Sequence, residues 1–514
     1  MLGGWQTPAD TGRPLYDPTT CAEVARISTS PLDYRAVLDY ARHVGGRELR
    51  KLNYAERAHI LKGLGKKLSE HLDDFHSLST KTGATKSDSR VDVDGGIGVL
   101  FFYGSRGMRE LPESGPLLDG DIERIGKSGT FGVRHIYTPL TGAAVQINAF
   151  NFPVWGMLEK FAPAFLAGVP SVVKPASQTA YLSALVVRHI TESGLLPEGA
   201  LQLICAPPGD LVEQFTGQDL LSVTGSAATA ARLRSHPAIV RNAVRFNSQA
   251  DSLNCSILGP DALPDTPEFD LYISQLVTEM TVKAGQRCTA IRRALVPRNL
   301  LDPVTDAVSA RLARVRVGNP ASDDVDMGPL VSLQHRTDVR SALAELRLEC
   351  QLVQGDPDKF ELIDAEPEQG AFLPPLLLRC ADPNAHAPHQ VEAFGPVSTL
   401  IPYESAARAV ELAARGKGSL AGSIVSYDSD FVHDVVLGLA PWHGRLLVLD
   451  RDDADESTGH GSAIPHAIHG GPGRAGGGEE LGGIRAVLHH MQRTAIQGSP
   501  TVLERLAHSS LIGA

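Results

Sequence analysis

The sequence predicts an α/β fold built on a parallel sheet, with a second α/β unit and a small β extension. Three observations carry this. From residue 143 onward, short apolar runs alternate with helical stretches, the rhythm of βαβ units whose ligands bind at the carboxyl ends of the strands. A second apolar alternation fills about 253–440. Ahead of both, Phe131, Val133 and Ile136 alternate behind Gly120, Gly126 and Gly129, as in a protruding hairpin over about 115–138.

Taken in order, residues 1–30 place turn signals (Gly3-Gly4, Pro8, Pro14, Pro18) around short apolar runs, which read as a leading strand or two. Over 31–110 the apolar spacing turns helical, as in Ile60, Leu61, Leu64 and Leu68. Ala143–Ile147 then reads as a buried strand. Trp155, Leu158, Ala162, Phe165 and Leu166 make a helical face that ends at Gly168. Ser171–Lys174 is the next strand, and Thr179–Ser193 the next helix, stopped by Gly194. Leu201–Ile204, Leu220–Val223 and Ile239–Val244 continue as strands, and the Gly- and His-rich stretch 458–483 is expected to be a loop.

At 514 residues the chain has room for roughly two to four domains. Its formal charge of −11, with no basic run to offset it, argues against a nucleic-acid or anionic-membrane partner. No apolar stretch approaches the roughly 18 residues that cross a bilayer, and the first residues have no signal-peptide pattern. The six cysteines are scattered without a CxxC pair, which suits reduced thiols in a cytoplasmic protein.

One cysteine stands apart. In Lys283-Ala-Gly-Gln-Arg-Cys-Thr-Ala-Ile-Arg292, Cys288 lies between glycine-bearing backbone and basic residues. Gly285 would let the backbone approach a ligand, and Arg287 and Arg292 would bias the field toward thiolate. A cysteine in an apolar chain is more often a small buried hydrophobe, so the context has to decide.

Seven motifs supply that context: Asn148-Ala-Phe-Asn-Phe-Pro153, Val173-Lys-Pro-Ala176, Thr224-Gly-Ser226, Gly285-Gln-Arg-Cys288, Met327-Gly-Pro-Leu330, Glu392-Ala-Phe-Gly-Pro396 and Gly478-Glu-Glu-Leu-Gly482. In this order, over nearly the whole chain, they resemble the aldehyde dehydrogenase family. The resemblance implies a Rossmann-like cofactor domain (1–111 and 138–250), a catalytic domain (251–485) and an oligomerisation extension (112–137 and 486–514), which would pair copies into a homodimer or a dimer of dimers. It makes Cys288 the nucleophile, and Asn151 with the Cys288 N–H the oxyanion hole. It assigns Lys174, Gly225, Ser226, Glu392 and Phe394 to the cofactor. Ser177 stands where NAD-preferring members carry a glutamate, so NADP is expected, with NAD possible; the competing role for Ser177 is capping the next helix. No metal is expected: His460, His466 and His469 lack metal-ligand spacing, and Gly471–Gly476, although it fits GxGxxG, has no βαβ unit behind it.

The departure is Gln249, 39 positions before Cys288, where family members carry a glutamate base. The flanking Ala-Asp-Ser-Leu-Asn254 resembles a branch acting on CoA-linked semialdehydes of benzoyl-CoA and phenylacetyl-CoA degradation. Since the phenylacetate enzyme carries a further domain, a CoA-thioester aldehyde of the benzoyl-CoA route, 3,4-dehydroadipyl-CoA semialdehyde, is the expected substrate. An amide cannot take a proton from water. Either another carboxylate serves (Glu159, beside Lys160, or Glu480), or the substitution holds the enzyme as a thioacyl complex, or the acyl group passes to free CoA. A cofactor-binding relative without turnover is the remaining alternative. The Gly-rich loop 458–483 is expected to widen the mouth for CoA.

Overall fold

The computed structural model describes residues 2–113 and 115–507. A five-stranded parallel sheet has the spatial order Leu201–Leu203, Ser171–Lys174, Ala144–Ile147, Leu220–Thr224, Arg245–Gln249. The chain steps outward from Ala144–Ile147 in one direction, then returns to its other side. Between Ala144–Ile147 and Leu220–Thr224 the order reverses, so their connections diverge and leave a crevice at the strands' carboxyl ends. A seven-stranded sheet runs Cys350–Gln354, Leu376–Cys380, Val397–Tyr403, Arg293–Pro297, Cys255–Leu258, Ser419–Val425, His443–Leu449, parallel except for its first strand. In a third sheet, Met491–Gly498 pairs with Phe131–Pro139, which pairs with Leu117–Ile125. Residues 508–514 of the expected extension lie outside the described residues.

The helix Trp155–Ala167 shows how the core positions the chemistry. Its N-terminus is held by Asp92, whose Oδ1 accepts from the N–H groups of Val154 (3.1 Å) and Trp155 (2.8 Å). Gly168, at φ 91°, ends it in the left-handed conformation that glycine adopts without a Cβ penalty. Nearly every face is apolar, so packing surrounds the helix. Phe161, Phe165, Leu158 and Leu166 are fully buried, each worth roughly 1.5–3 kcal/mol. Glu159 and Lys160 are buried on the same helix. In such a setting charges persist only if paired.

Two expectations need correction. Ile239–Val244 is not a strand: Pro237–Arg241 is a short helix, and the strand is Arg245–Gln249. Pro237 fixes φ at the helix start, the His236 ring accepts from the Ala238 N–H, and Ala243 turns at φ 49° before the strand begins. Residues 458–483 are also not wholly loop. Ile468–Gly470 and Glu479–Leu481 form an antiparallel pair in which His469 lies opposite Glu480. The Gly471–Gly476 segment between them turns back on itself and caps the edge strand, Ala475 O accepting from Ala250 N–H at 2.9 Å.

Candidate active site

Cys288 follows three successive residues at positive φ, Lys283 (57°), Ala284 (51°) and Gly285 (64°). Such backbone persists only where surrounding contacts hold it. Lys283 N–H donates to Asp88 Oδ1 at 2.8 Å, Gln286 Nε2 to Lys283 O at 2.8 Å, and Val331 N–H to Gln286 Oε1 at 2.9 Å. Gly285 is held to glycine by backbone: a Cβ there would lie 2.2 Å from the Gly395 carbonyl oxygen. Asn254 Nδ2 donates to the Cys288 carbonyl at 2.8 Å and fixes the nucleophile's own peptide.

The two arginines are also differently employed. Arg287 pairs with Glu279 at 3.0 Å. Arg292 donates to the carbonyls of Gly395, Gly285 and Arg287 and lies 3.9 Å from Glu392. Both are buried and brace the loop, and the Arg292 charge also bears on Cys288.

Cys288 lies where two cavities meet, since Asn151, Thr224, Gln249 and Cys288 line both. One is a narrow chamber of about 60 Å³ walled by Phe152, Trp155, Glu159, Gly461, Ala463 and His469. The stretch 458–483 supplies one wall of this chamber, through Gly461, Ala463 and His469. The other is a groove of about 640 Å³ beside Gly225, Ser226, Asp251, Glu392, Phe394 and Arg474.

Asn151 Nδ2 donates to Gln286 O at 3.0 Å, which holds the amide beside the thiol and leaves its second N–H without a partner among the described residues. Gln249 ends the edge strand, buried, with its Nε2 lacking any hydrogen-bond partner among the described residues. Glu159 and Glu480 flank Lys160 Nζ at 2.8 and 2.9 Å. Burial opposes Lys160's charge, yet the two carboxylates raise its pKa above the usual lysine range. Burial alone would raise Glu159, but Lys160 and His469 hold it well below the usual carboxylate range. Glu480 is pushed up to about 7 by burial and by Glu159, against Lys160.

The sequence offers His469 only as part of a solvated or substrate-facing loop, and the structure puts it on the chamber wall with Cys288. Its Nε2 lies 3.8 Å from Cys288 Sγ and its Nδ1 3.2 Å from Glu159 Oε2. Burial would lower its pKa, but Glu159, aided by the thiol, raises it to about 9. The available signal was a pair of short segments, Ile468-His-Gly470 and Glu479-Glu-Leu481, joined by a glycine-rich turn. His460 instead meets Ser423 Oγ at 2.8 Å, and His466 packs edge-on against Phe102, so the three histidines make no cluster.

On the groove side, Ser226 caps the helix Ala227–Arg234, accepting from Thr229 N–H. Asp251 takes the Ala227 N–H at 2.8 Å, so that helix end is open only in part. Glu392 is pushed up to about 7 by burial, with Arg292 opposing, and its Oε1 has no hydrogen-bond partner among the described residues. Phe394 stands edge-on to Phe150, and its carbonyl meets His335 Nε2 at 2.7 Å. Lys174 and Ser177 are half-buried at the end of the strand Ser171–Lys174, and between and beyond them Ala176 and Gln178 reach the groove. Ser177 is not the cap of the next helix. Thr179 holds that position and no side chain caps it.

The model of the aldehyde dehydrogenase family matches residues 5–448. The chain belongs to the aldehyde dehydrogenase family. It is thereby an oxidoreductase acting on aldehydes, with the motifs above in the positions just described. It is 45% identical over 475 residues to 3,4-dehydroadipyl-CoA semialdehyde dehydrogenase of Aromatoleum evansii, covering 92% of each chain. Protein MaoC of Klebsiella aerogenes is 47% identical over 190 residues, 37% of this chain and 55% of that one. Betaine aldehyde dehydrogenase of Staphylococcus aureus, solved with NAD+, superposes at a TM-score of 0.83 with 23% identity, covering 97% of this chain and 94% of that one. The fold is that of an aldehyde dehydrogenase. No helix among the described residues is long and apolar enough to cross a membrane.

Proposed function

We propose that this aldehyde dehydrogenase oxidises a CoA-linked semialdehyde, 3,4-dehydroadipyl-CoA semialdehyde, to the corresponding acid with NADP. The observation that carries the reading is the 45% identity to a 3,4-dehydroadipyl-CoA semialdehyde dehydrogenase over 92% of both chains. The chamber is compatible with it. At about 60 Å³, walled by Phe152 and Trp155, it suits a slender acyl chain while the bulky CoA stays outside.

Cys288 Sγ attacks the carbonyl carbon, and the oxygen gains negative charge. Asn151's free N–H and the Cys288 backbone N–H stabilise that charge; a donor of this kind is worth roughly 10²–10³ in kcat. The groove fits a dinucleotide: the helix Ala227–Arg234 keeps part of its N-terminal end open to phosphate beside the Ser226 and Asp251 caps, while Glu392, whose Oε1 has no hydrogen bond among the described residues, and Phe394 would hold the nicotinamide end. When bound, the nicotinamide supplies the hydride acceptor. The oxidised group on Cys288 is a thioester, which water must cleave. Gln249 offers an amide at the place of the family's base, so the proton from water goes elsewhere. Ser177 brings no negative charge against a 2′-phosphate, and Lys174 stands at the same strand end, which favours NADP over NAD.

The three-stranded extension presents Leu117–Ile125 as an edge strand. Pairing of such edges between copies, giving a homodimer or a dimer of dimers, is part of the same reading. The test is a comparison of kcat/KM for a CoA-linked semialdehyde and its hydrolysed, CoA-free counterpart, with NADP+ and NAD+, in the presence and absence of free CoA. A preference of at least about 100-fold for the CoA-linked substrate, roughly 2.7 kcal/mol of differential binding, is expected. Equal rates on the two aldehydes, or turnover that requires free CoA, would overturn the reading.

A further inference from the structure

We propose that His469 is the proton acceptor of this site, oriented by Glu159. It takes the proton of Cys288 before attack on the aldehyde, and later takes one from the water that releases the acyl group. The inference rests on the thioester chemistry proposed above but not on the identity of the substrate.

The geometry is that of a relay. The imidazole bridges sulfur and carboxylate, Nε2 at 3.8 Å from Cys288 Sγ and Nδ1 at 3.2 Å from Glu159 Oε2. Donation of Nδ1–H to Glu159 fixes the tautomer whose Nε2 lone pair faces the thiol. The carboxylate is itself restrained, since Trp155 Nε1 donates to Oε2 at 3.0 Å and Lys160 pairs with Oε1 at 2.8 Å. The ring's backbone is pinned in the strand pair with His469 opposite Glu480. At Gly470 a Cβ would fall 2.1 Å from the Gly478 carbonyl, so the two strands are in close contact. The groups whose charge bears on the imidazole, directly or through Glu159, include Glu159 and Lys160 from their helix, Glu480 from the paired strand, Tyr103 from Lys86–Glu110, and Cys288, which Arg292 and Arg445 also face. Glu159 and His469 are buried, so their interaction is poorly screened. The residue at the usual base position, Gln249, can accept no proton, while His469 lines the same chamber as the sulfur.

The proton balance closes. The Cys288 proton moves to His469, and the thiolate forms a C–S bond to the aldehyde carbon. With the hydride passed to the nicotinamide that the groove would hold, the group on sulfur is a neutral thioester, and the imidazolium, no longer facing a thiolate though still paired with Glu159, gives its proton to solvent. Neutral His469 then takes a proton from water as the oxygen bonds to the acyl carbon. The C–S bond breaks, the electrons return to sulfur as thiolate beside imidazolium, and the acid leaves with loss of a second proton.

The test is the pH dependence of Cys288 alkylation by iodoacetamide in the full-length enzyme. This readout needs no aldehyde, so a wrong substrate leaves it untouched. The wild-type rate is expected to stay within about threefold between pH 6.5 and 8.5, because the thiolate exists beside imidazolium. In His469→Gln the rate at pH 6.5 falls about tenfold or more and climbs with pH as for an unassisted thiol. Glu159→Gln moves the profile the same way. Thermal stabilisation by NADP+ reports that each variant is folded. Should His469→Gln not fold, Glu159→Gln and His469→Ala with added imidazole carry the test, imidazole restoring turnover about tenfold or more. Adding Gln249→Glu to His469→Gln restores acid release but not the alkylation profile. A folded His469 variant with the wild-type profile would overturn the proposal, as would His469→Ala that loses turnover and is indifferent to imidazole.

Discussion

His469 and Glu159 lie 310 positions apart in sequence and 3.2 Å apart in space, Nδ1 to Oε2, with the ring's other nitrogen facing Cys288. A buried carboxylate and a buried imidazole each lose hydration, and each offsets the other's loss. The pair gives the histidine a pH signature. With its folded value raised to about 9 over an ordinary value near 6.5, it contributes stability that is fully present below about pH 6.5 and lost as pH rises through 9. Glu480, raised to about 7, likewise contributes stability below its ordinary carboxylate range that is lost as pH rises through 7. Glu159, held low, is ionised throughout this window. The melting temperature should therefore fall between pH 6.5 and 9, and fall less steeply in His469→Gln. An identical slope in the two proteins, followed by calorimetry, would refute this.

Asn151→Ala removes a donor aimed at the developing oxyanion. It should lower kcat by roughly 10²–10³ with a smaller change in KM, read from steady-state kinetics.

On the proposed NADP reading, Ser177→Glu sets a carboxylate against the cofactor's 2′-phosphate. The ratio of kcat/KM for NADP+ over NAD+ should fall by about tenfold or more, on the order of 1.4 kcal/mol. No change in that ratio would mean that Ser177 does not face the ribose.

Gly285→Ala tests the bend behind the nucleophile. An alanine at φ 64°, its Cβ 2.2 Å from Gly395 O, should cost about 2 kcal/mol or more in denaturant unfolding, with loss of activity from a displaced Cys288.

The strands that carry the cofactor groove were legible because they are apolar. Ala144–Ile147 and Ser171–Lys174 are buried on both faces and read as continuous runs. The edge strand Arg245–Gln249 was misplaced by a few residues because its sequence, Arg-Phe-Asn-Ser-Gln, is mostly polar; the apolar Ile239 and Val244 before it drew the assignment. The residues around Cys288 were recognisable as a motif, but not the use of Arg287 and Arg292, whose partners Glu279 and Gly395 are set by tertiary packing. His469 was hidden for another reason. A glycine-rich stretch carries no periodicity, and only the ladder that places His469 opposite Glu480 brings the ring to the chamber.

The most direct measurement of the central claim, a Cys288 thioester whose hydrolysis does not depend on residue 249, is rapid mixing of enzyme, NADP+ and a CoA-linked semialdehyde while absorbance of the reduced cofactor is recorded. The expected trace has a first phase of about one equivalent per chain that Cys288→Ala abolishes, and a later steady phase that Gln249→Glu changes by less than about threefold. A steady phase accelerated roughly 10²–10⁴-fold by Gln249→Glu, the usual worth of a general base, would contradict the account and return the missing proton acceptor to position 249.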